Sequence, residues 1–140
     1  MERLNRNDGD EREPLAVSRL LLDHVSEMDR SERMSQQWRA SESQLEKLSL
    51  LADRWSSDEP LQYILNEAHF MGLTLQADPR ALIPRPETDE LVHALLDRIP
   101  PEVSEGRRFL DIGTGSGCIA LAWKSRRPMD HVVGLDVSED

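Results

Sequence analysis

The chain has 140 residues, enough for one ordinary domain or two small ones. Its formal net charge of −10 argues against a nucleic-acid-binding domain, because such domains neutralise phosphates with clustered Lys and Arg. Only 38% of the residues are hydrophobic and 31% are charged, a composition that fits a folded core with a highly charged arm.

The chain begins with its most charged segment. Residues 1–13 hold eight charged side chains and one aliphatic side chain, Leu4. Such a segment buries too little apolar surface to offset the conformational entropy that it would lose on folding. We therefore expect residues 1–13 to form a disordered arm.

Residues 14–58 are predicted to form a small helical domain. Apolar side chains follow Pro14 at helical spacing, and proline is tolerated in the first turn of a helix. Ser41 and Gln44 have the spacing of a capping box, and an apolar stripe follows them. A shorter helix near residues 34–38 is expected between these two.

Residues 59–84 are predicted to form a β-hairpin linker. Tyr63 and Ile64, like the apolar residues after them, are typical of short strands on either side of Gly72. The Asp-Pro pair at 78–79 then indicates a turn. The hairpin would connect the helical domain to the rest of the chain.

Residues 85–140 are predicted to begin an α/β domain. A helix is expected from about residue 87 to residue 98, and two prolines at 100–101 would end it. The remainder reads as a strand in RRFLDIG, a helix in CIALAWKS and a strand in HVVGLD. Elements in this order form a βαβ unit, in which the strands are parallel and the crossover is right-handed.

A glycine-rich turn joins the first of these strands to the helix. It reads DIGTGSGC and supplies five candidate ligand-binding residues, Asp111, Gly113, Thr114, Gly115 and Gly117. Glycine permits positive φ and lets a ligand approach the backbone, and open α/β sheets bind nucleotides at this edge. Asp136 ends the second strand, where its carboxylate can accept hydrogen bonds from both hydroxyls of a ribose. These features favour a nucleoside site over the alternative of a turn that serves packing alone.

The ligand that fits this turn is S-adenosylmethionine rather than a dinucleotide. The dinucleotide fingerprint requires a third glycine where this chain has Cys118. A carboxylate inside the turn would repel a pyrophosphate but favours a cationic ligand. S-adenosylmethionine has a ribose, a sulfonium and an ammonium, and it has no phosphate. A P-loop is excluded because no Gly-Lys-Ser or Gly-Lys-Thr follows the glycines.

The remaining candidate residues favour structural roles. Four histidines, at positions 24, 69, 93 and 131, have no partner at ligand spacing, so no metal site is predicted. Cys118 is the single cysteine, so an internal disulfide is excluded and the sequence fits a reducing cytosol. Cys118 is expected to pack as a small residue. No apolar run approaches the roughly 20 residues that span a bilayer, and no secretory signal is present. The sequence thus predicts a soluble, cytoplasmic protein with no membrane partner.

Three stretches of the chain resemble the release factor glutamine methyltransferases, a family of protein-(glutamine-N5) methyltransferases. They are EPLQYIL at 59–65, LIPRPETDELV at 82–92, and DIGTGSGCIAL at 111–121 with GLDVS at 134–138. The second stretch is the most specific, because glycine turns of this kind occur in many methyltransferases. The resemblance covers about residues 14–140 and concerns the N-terminal portion of the family.

The resemblance implies a fold, a reaction and a set of site residues. The fold would be the start of a Rossmann-like class I S-adenosylmethionine-dependent methyltransferase domain, and the glycine turn with Asp136 would contact the cofactor. Arg85, Glu87 and Thr88 would line or brace the pocket beside the entry into the catalytic domain. The reaction would methylate the side-chain amide of the glutamine in the Gly-Gly-Gln loop of peptide chain release factors, with no direct contact to nucleic acid.

The sequence also departs from the family. Asn66 stands where the family usually has glycine, and no Asn-Pro-Pro-Tyr motif occurs in the 140 residues. We therefore expect a truncated domain that is inactive alone and whose catalytic residues are unknown. Three alternatives stay open: a ribosomal-protein glutamine methyltransferase, an adenine-N6 methyltransferase, against which the acidic balance counts, and a non-catalytic remnant that binds a partner protein.

Overall fold

The computed structural model describes residues 12–99 and 106–139. The chain divides into two compact units that meet in sequence between Leu65 and Asn66. The predicted arm lies outside the described residues except for Arg12 and Glu13, which begin the first helix. The two prolines at 100–101, which were predicted to end a helix, also lie outside the described residues. Within these ranges, no helix has the length and apolar character needed to cross a membrane.

The first unit is helical. Its elements are α1 (Arg12–Ser26), α2 (Arg30–Ser35), α3 (Glu42–Ser56) and α4 (Leu61–Leu65). Its core is built from side chains of α1, α3 and α4, namely Val17, Leu21, Val25, Leu51 and Ile64. The three residues from α1 recur at intervals of four, so a single face of that helix is buried.

Helix α3 begins with the predicted capping box. The amide of Gln44 donates to Ser41 Oγ at 3.3 Å, and the amide of Ser41 donates to Gln44 Oε1 at 2.9 Å. Two amides that the helix itself cannot satisfy are thereby bonded. The prediction of a helix starting at Ser41 is confirmed.

The prediction of strand structure at Tyr63 and Ile64 was wrong, because both residues lie in α4. The carbonyl of Pro60 accepts hydrogen bonds from the amides of Tyr63 and Ile64, at 3.0 and 3.1 Å. Ile64 is 1% exposed and completes the core of the first unit. β-Branched and aromatic residues are only weak indicators of strands, and burial in a helical core overrides that preference.

The second unit contains two short sheets and two helices. Its elements are β1 (Glu67–Phe70), β2 (Leu73–Gln76), α5 (Pro86–Arg98), β3 (Arg108–Ile112), α6 (Cys118–Arg126) and β4 (His131–Leu135). Strands β1 and β2 are antiparallel, and β3 and β4 are parallel. A small helical unit followed by short sheets agrees with the predicted mixture of helices and strands.

The hairpin depends on backbone conformations that are unusual for most residues. Met71 and Gly72 connect β1 to β2 with φ of 51° and 80°, as a tight two-residue turn requires. Asn66, which stands in place of the family's usual glycine, has a φ of 57°. Asparagine tolerates this left-handed region better than most other non-glycine residues do.

Helix α6 covers one face of the parallel pair. The ring of Phe109 on β3 stacks on Trp123 of α6, with ring centroids 4.4 Å apart. The buried side chains around α6 are shared with the hairpin and α5, namely Phe70, Met71, Val92, Cys118 and Ala122. Cys118 is buried among them, as expected for a small packing residue.

Candidate functional site

The glycine turn is fastened to the carboxyl end of β4. The amides of Gly113 and Thr114 both donate to the carbonyl of Leu135, at 2.8 and 2.9 Å. The amide of Gly117 donates to the carbonyl of Thr114 at 2.8 Å, which closes the turn before α6 begins. The parallel pairing of β3 with β4 therefore fixes where the turn lies.

The glycines of the turn are required by the backbone conformation. Gly113, Gly115 and Gly117 have φ of 75°, 51° and 75°, a region that L-residues with a Cβ rarely adopt. A Cβ added to Gly113 or Gly115 would meet no heavy atom within 4 Å. The turn thus presents open backbone, with room for a ligand beside two of its three glycines.

Asp136 caps the turn from the end of β4. Its Oδ2 accepts a hydrogen bond from the amide of Gly115 at 2.7 Å, and its Oδ1 accepts one from the amide of Ser138 at 3.0 Å. These amides lower the pKa of Asp136, that of Ser138 most and that of Gly115 next, and burial opposes them. The carboxylate is therefore ionised at neutral pH and acts only as an acceptor.

Asp111 holds the turn from the other strand. It is 8% exposed and its Oδ2 accepts a hydrogen bond of 2.8 Å from Thr114 Oγ1. Hydrogen bonds therefore link the two predicted acids, Asp111 and Asp136, to neighbouring residues of one turn.

Gly134 belongs to this site although it was not predicted from the sequence. A Cβ at this position would lie 2.8 Å from Thr114 Oγ1 and 3.1 Å from Thr114 Cγ2. The absence of a side chain at Gly134 therefore leaves room for Thr114 in the position from which its hydroxyl donates to Asp111. The available signal was a glycine inside a strand, which often marks the close approach of other atoms.

The entry into α5 has a clear local structure. Arg85 precedes the helix in an extended conformation, Pro86 occupies its first turn, and the amide of Thr88 donates to the carbonyl of Arg85 at 3.0 Å. Glu87 is exposed near the positive end of the helix, where an acid is favourable. In the described ranges, no hydrogen bond or ion pair connects the side chains of Arg85, Glu87 or Thr88 to the glycine turn. Their role in lining a pocket stays a prediction.

Asp89 is the residue of this segment that makes a tertiary contact. Its Oδ1 accepts a hydrogen bond of 2.7 Å from the amide of Met71 in the hairpin turn. Asp89 was not predicted as a site residue, because an acid in the first turn of a helix is already explained by the helix dipole.

One match to a known protein family covers the first unit. Residues 2–65 match the PrmC N-terminal domain family. The four helices α1 to α4 lie within the matched residues.

Longer matches extend into the second unit. The chain is 38% identical over 137 residues to the release factor glutamine methyltransferase of Vibrio cholerae, covering 97% of this chain and 46% of the relative. Identity to the enzyme of the same name from Thermodesulfovibrio yellowstonii is 36% over 119 residues, or 85% of this chain and 43% of the relative. The relative from Bacteroides thetaiotaomicron is 47% identical over 87 residues, or 62% of this chain and 30% of the relative.

These matches confirm the resemblance predicted from the three sequence stretches. The matched part is the N-terminal part of the relatives, and the chain spans less than half of their length.

Proposed function

We propose that this chain takes part in the S-adenosylmethionine-dependent methylation of a glutamine side chain in peptide chain release factors. The names of its relatives support the reaction class and the substrate. The observation that carries the proposal is the contact of Asp136 with the amide of Gly115, because it puts an ionised carboxylate beside an open glycine turn.

The residues of the turn fit S-adenosylmethionine better than a phosphate-bearing cofactor. Asp111 and Asp136 contribute negative charge, which would oppose a pyrophosphate and favour a sulfonium and an ammonium. Gly113 and Gly115 leave open space beside their backbone. In the described part of the second unit, no Lys or Arg side chain is hydrogen-bonded to this turn.

Each residue has a defined part in binding. Asp136 would accept hydrogen bonds from the ribose hydroxyls, and Asp111 would keep the turn in shape through Thr114. Gly113 and Gly115 would allow the cofactor to approach the backbone. When bound, S-adenosylmethionine supplies an activated methyl group on its sulfonium. These residues bind and orient the cofactor, and none of them is proposed to act on the glutamine amide.

Isothermal titration of the 140-residue chain with S-adenosylmethionine tests the cofactor proposal. We expect saturable binding, and no binding of NAD under the same conditions. Asp136→Asn should weaken binding at least about tenfold, because a hydrogen bond to a charged group is lost. Glu139→Gln is the matched control, since it removes an exposed acid near the end of β4 and should bind as the unaltered chain does. Equal affinities for Asp136→Asn and the unaltered chain would contradict the assignment.

A second experiment tests the substrate. The chain, saturated with S-adenosylmethionine, is titrated with a purified release factor and with a variant whose Gly-Gly-Gln loop is deleted. We expect binding that is stronger for the intact release factor. If both proteins bind equally, or neither binds, the substrate proposal is wrong while the cofactor proposal stands on its own titration.

A further inference from the structure

The first unit contains an open groove of about 590 Å³ between α1, α2 and the loop after α2. Among the residues that the structure describes, its lining carries four arginines and no acidic residue, in a chain whose net charge is −10. Leu15, Met34 and Trp38 provide an apolar part of the same lining. The groove thus combines positive charge with apolar surface, whereas the chain as a whole is acidic.

One of the four arginines is a structural residue. Arg33 is 9% exposed, forms an ion pair with Asp23 at 2.5 Å and donates to the carbonyl of Met28 and to Ser26 Oγ. These contacts hold α2 and the preceding loop against α1. The charge of Arg33 is therefore already neutralised and is not available to a ligand.

The other three arginines of the groove have exposed side chains. Arg19, Arg30 and Arg39 are exposed, and in the part of the chain that the structure describes their side chains make no ion pair or hydrogen bond. The nearby acids Asp29 and Glu32 are engaged in the capping box of α2, where each accepts a backbone amide of the other. Three guanidinium groups thus line one groove, and among the described residues none of them is paired directly with a carboxylate.

The apolar part of the groove is also uncovered. Leu15 is 54% exposed and Met34 is 70% exposed, although both line the same concave surface. Apolar side chains in a concave, water-filled groove gain free energy when a partner covers them. Methionine and tryptophan are suited to such contacts, since they present large and adaptable surfaces.

We propose that this groove binds an acidic peptide segment of a partner protein, with carboxylates on Arg19, Arg30 and Arg39 and an aliphatic or aromatic side chain against Leu15 and Met34. Charge complementarity favours carboxylates, and arginine pairs with them through two parallel hydrogen bonds. A nucleic acid fits less well, because three cations neutralise few phosphates of a polyphosphate chain.

This inference is independent of the proposed cofactor site. Every residue of the groove lies within residues 15–39, whereas the residues assigned to S-adenosylmethionine lie within 111–136. One proposal can therefore fail while the other holds. The titration with S-adenosylmethionine tests only the cofactor site, so it shows which of the two proposals has failed.

The test is a selection of displayed random peptides on the immobilised 140-residue chain, with counter-selection on the double variant Arg19→Gln/Arg39→Gln. We expect the recovered peptides to be enriched in Asp and Glu around at least one large apolar residue. Fluorescence anisotropy with the labelled peptides should give an affinity for the double variant that is about tenfold lower, because two charged pairs are lost. Added salt should weaken binding to the unaltered chain.

The matched control is Arg98→Gln/Arg108→Gln, which removes the same charge from exposed positions on α5 and β3. It should bind the peptides as the unaltered chain does, and both double variants should bind S-adenosylmethionine normally. Recovery of no peptides, peptides without an excess of acids, or equal affinity for Arg19→Gln/Arg39→Gln would each overturn the proposal. So would tighter binding of a labelled single-stranded DNA that depends on the same two arginines.

Discussion

Trp123 Nε1 donates a hydrogen bond of 2.8 Å to Asp130 Oδ2, and both side chains are buried. The other carboxylate oxygen of Asp130 accepts the amide of Arg107 at 2.9 Å, next to the start of β3. One carboxylate thereby joins α6 to the beginnings of both parallel strands.

Replacing Asp130 with Asn is expected to destabilise the second unit in a pH-dependent way. The amide of Arg107, and then the indole of Trp123, lower the pKa of Asp130 below its ordinary value. A lowered folded-state pKa means that the stabilisation is present above the unfolded pKa of about 3.9 and is lost as pH falls through the folded value. Urea unfolding of Asp130→Asn and the unaltered chain should therefore differ most at neutral pH and converge below about pH 4.

The control for that series is Asp97→Asn on the exposed side of α5. Its unfolding midpoint should follow that of the unaltered chain at every pH. A constant difference between Asp130→Asn and the unaltered chain down to the lowest pH would show that the charge of Asp130 is not what stabilises the unit.

Gly134→Ala is expected to disturb the cofactor site through Thr114. The new Cβ would lie 2.8 Å from Thr114 Oγ1, so Thr114 must move away from Asp111 or the strands must separate. Overpacking of this kind costs about 1–3 kcal/mol, and we expect S-adenosylmethionine binding to weaken about tenfold. Calorimetry and urea unfolding measure the two effects.

A second substitution tests whether Thr114 is the cause. Thr114→Ala removes the two atoms nearest to the added Cβ, so the double variant Gly134→Ala/Thr114→Ala should be more stable than the sum of the single changes predicts. Strict additivity would mean that the effect of Gly134→Ala comes from elsewhere in β4.

Gly115→Ala is expected to destabilise the turn because of its backbone conformation. The φ of Gly115 is 51°, and the left-handed region costs a residue with a Cβ about 1–2 kcal/mol. Gly115→Asn should be the milder change, since asparagine tolerates positive φ and Asn66 already adopts 57° in this chain. Thermal unfolding of both variants checks the order, and a more stable alanine variant would contradict it.

Asp89→Ala is expected to loosen the hairpin turn. The amide of Met71 loses its acceptor, and an unsatisfied backbone amide in a part-buried position costs about 1–3 kcal/mol. Hydrogen exchange at the amide of Met71 should accelerate strongly. Glu90→Ala is the matched control, because Glu90 is an exposed acid on the same helix, and it should leave that amide as protected as before.

The face of the parallel pair opposite α6 is expected to bind a hydrophobic dye. Leu110, Ile112, Val133 and Leu135 lie on this face, and Ile112 is 78% exposed. Contiguous exposed apolar surface binds such dyes and promotes association. Ile112→Thr should reduce the fluorescence of bound anilinonaphthalene sulfonate. Leu82→Thr should change it little, although Leu82 is 72% exposed, because Leu82 lies outside this face.

The sequence by itself determined the features that depend on neighbouring residues. The capping box of Ser41 and Gln44 is a bond between residues three apart, and its spacing alone predicted the start of α3. The glycine turn was likewise readable, because positive φ at Gly113, Gly115 and Gly117 restricts the residue type at each position. The order strand, turn, helix, strand then implied a parallel pair.

Only the tertiary structure decided the features that depend on residues far apart in the chain. Ile64 became helical because the core of the first unit buries it, against its local preference for strands. The roles of Gly134 and Asp130 follow from contacts with residues 20 and 23 positions away, which no local pattern encodes. The same holds for the arginine groove, since the approach of α1 and α2 gathers charges that look scattered along the sequence. Local hydrogen bonds and backbone restrictions are encoded in short segments, whereas burial and close approach arise only when those segments pack.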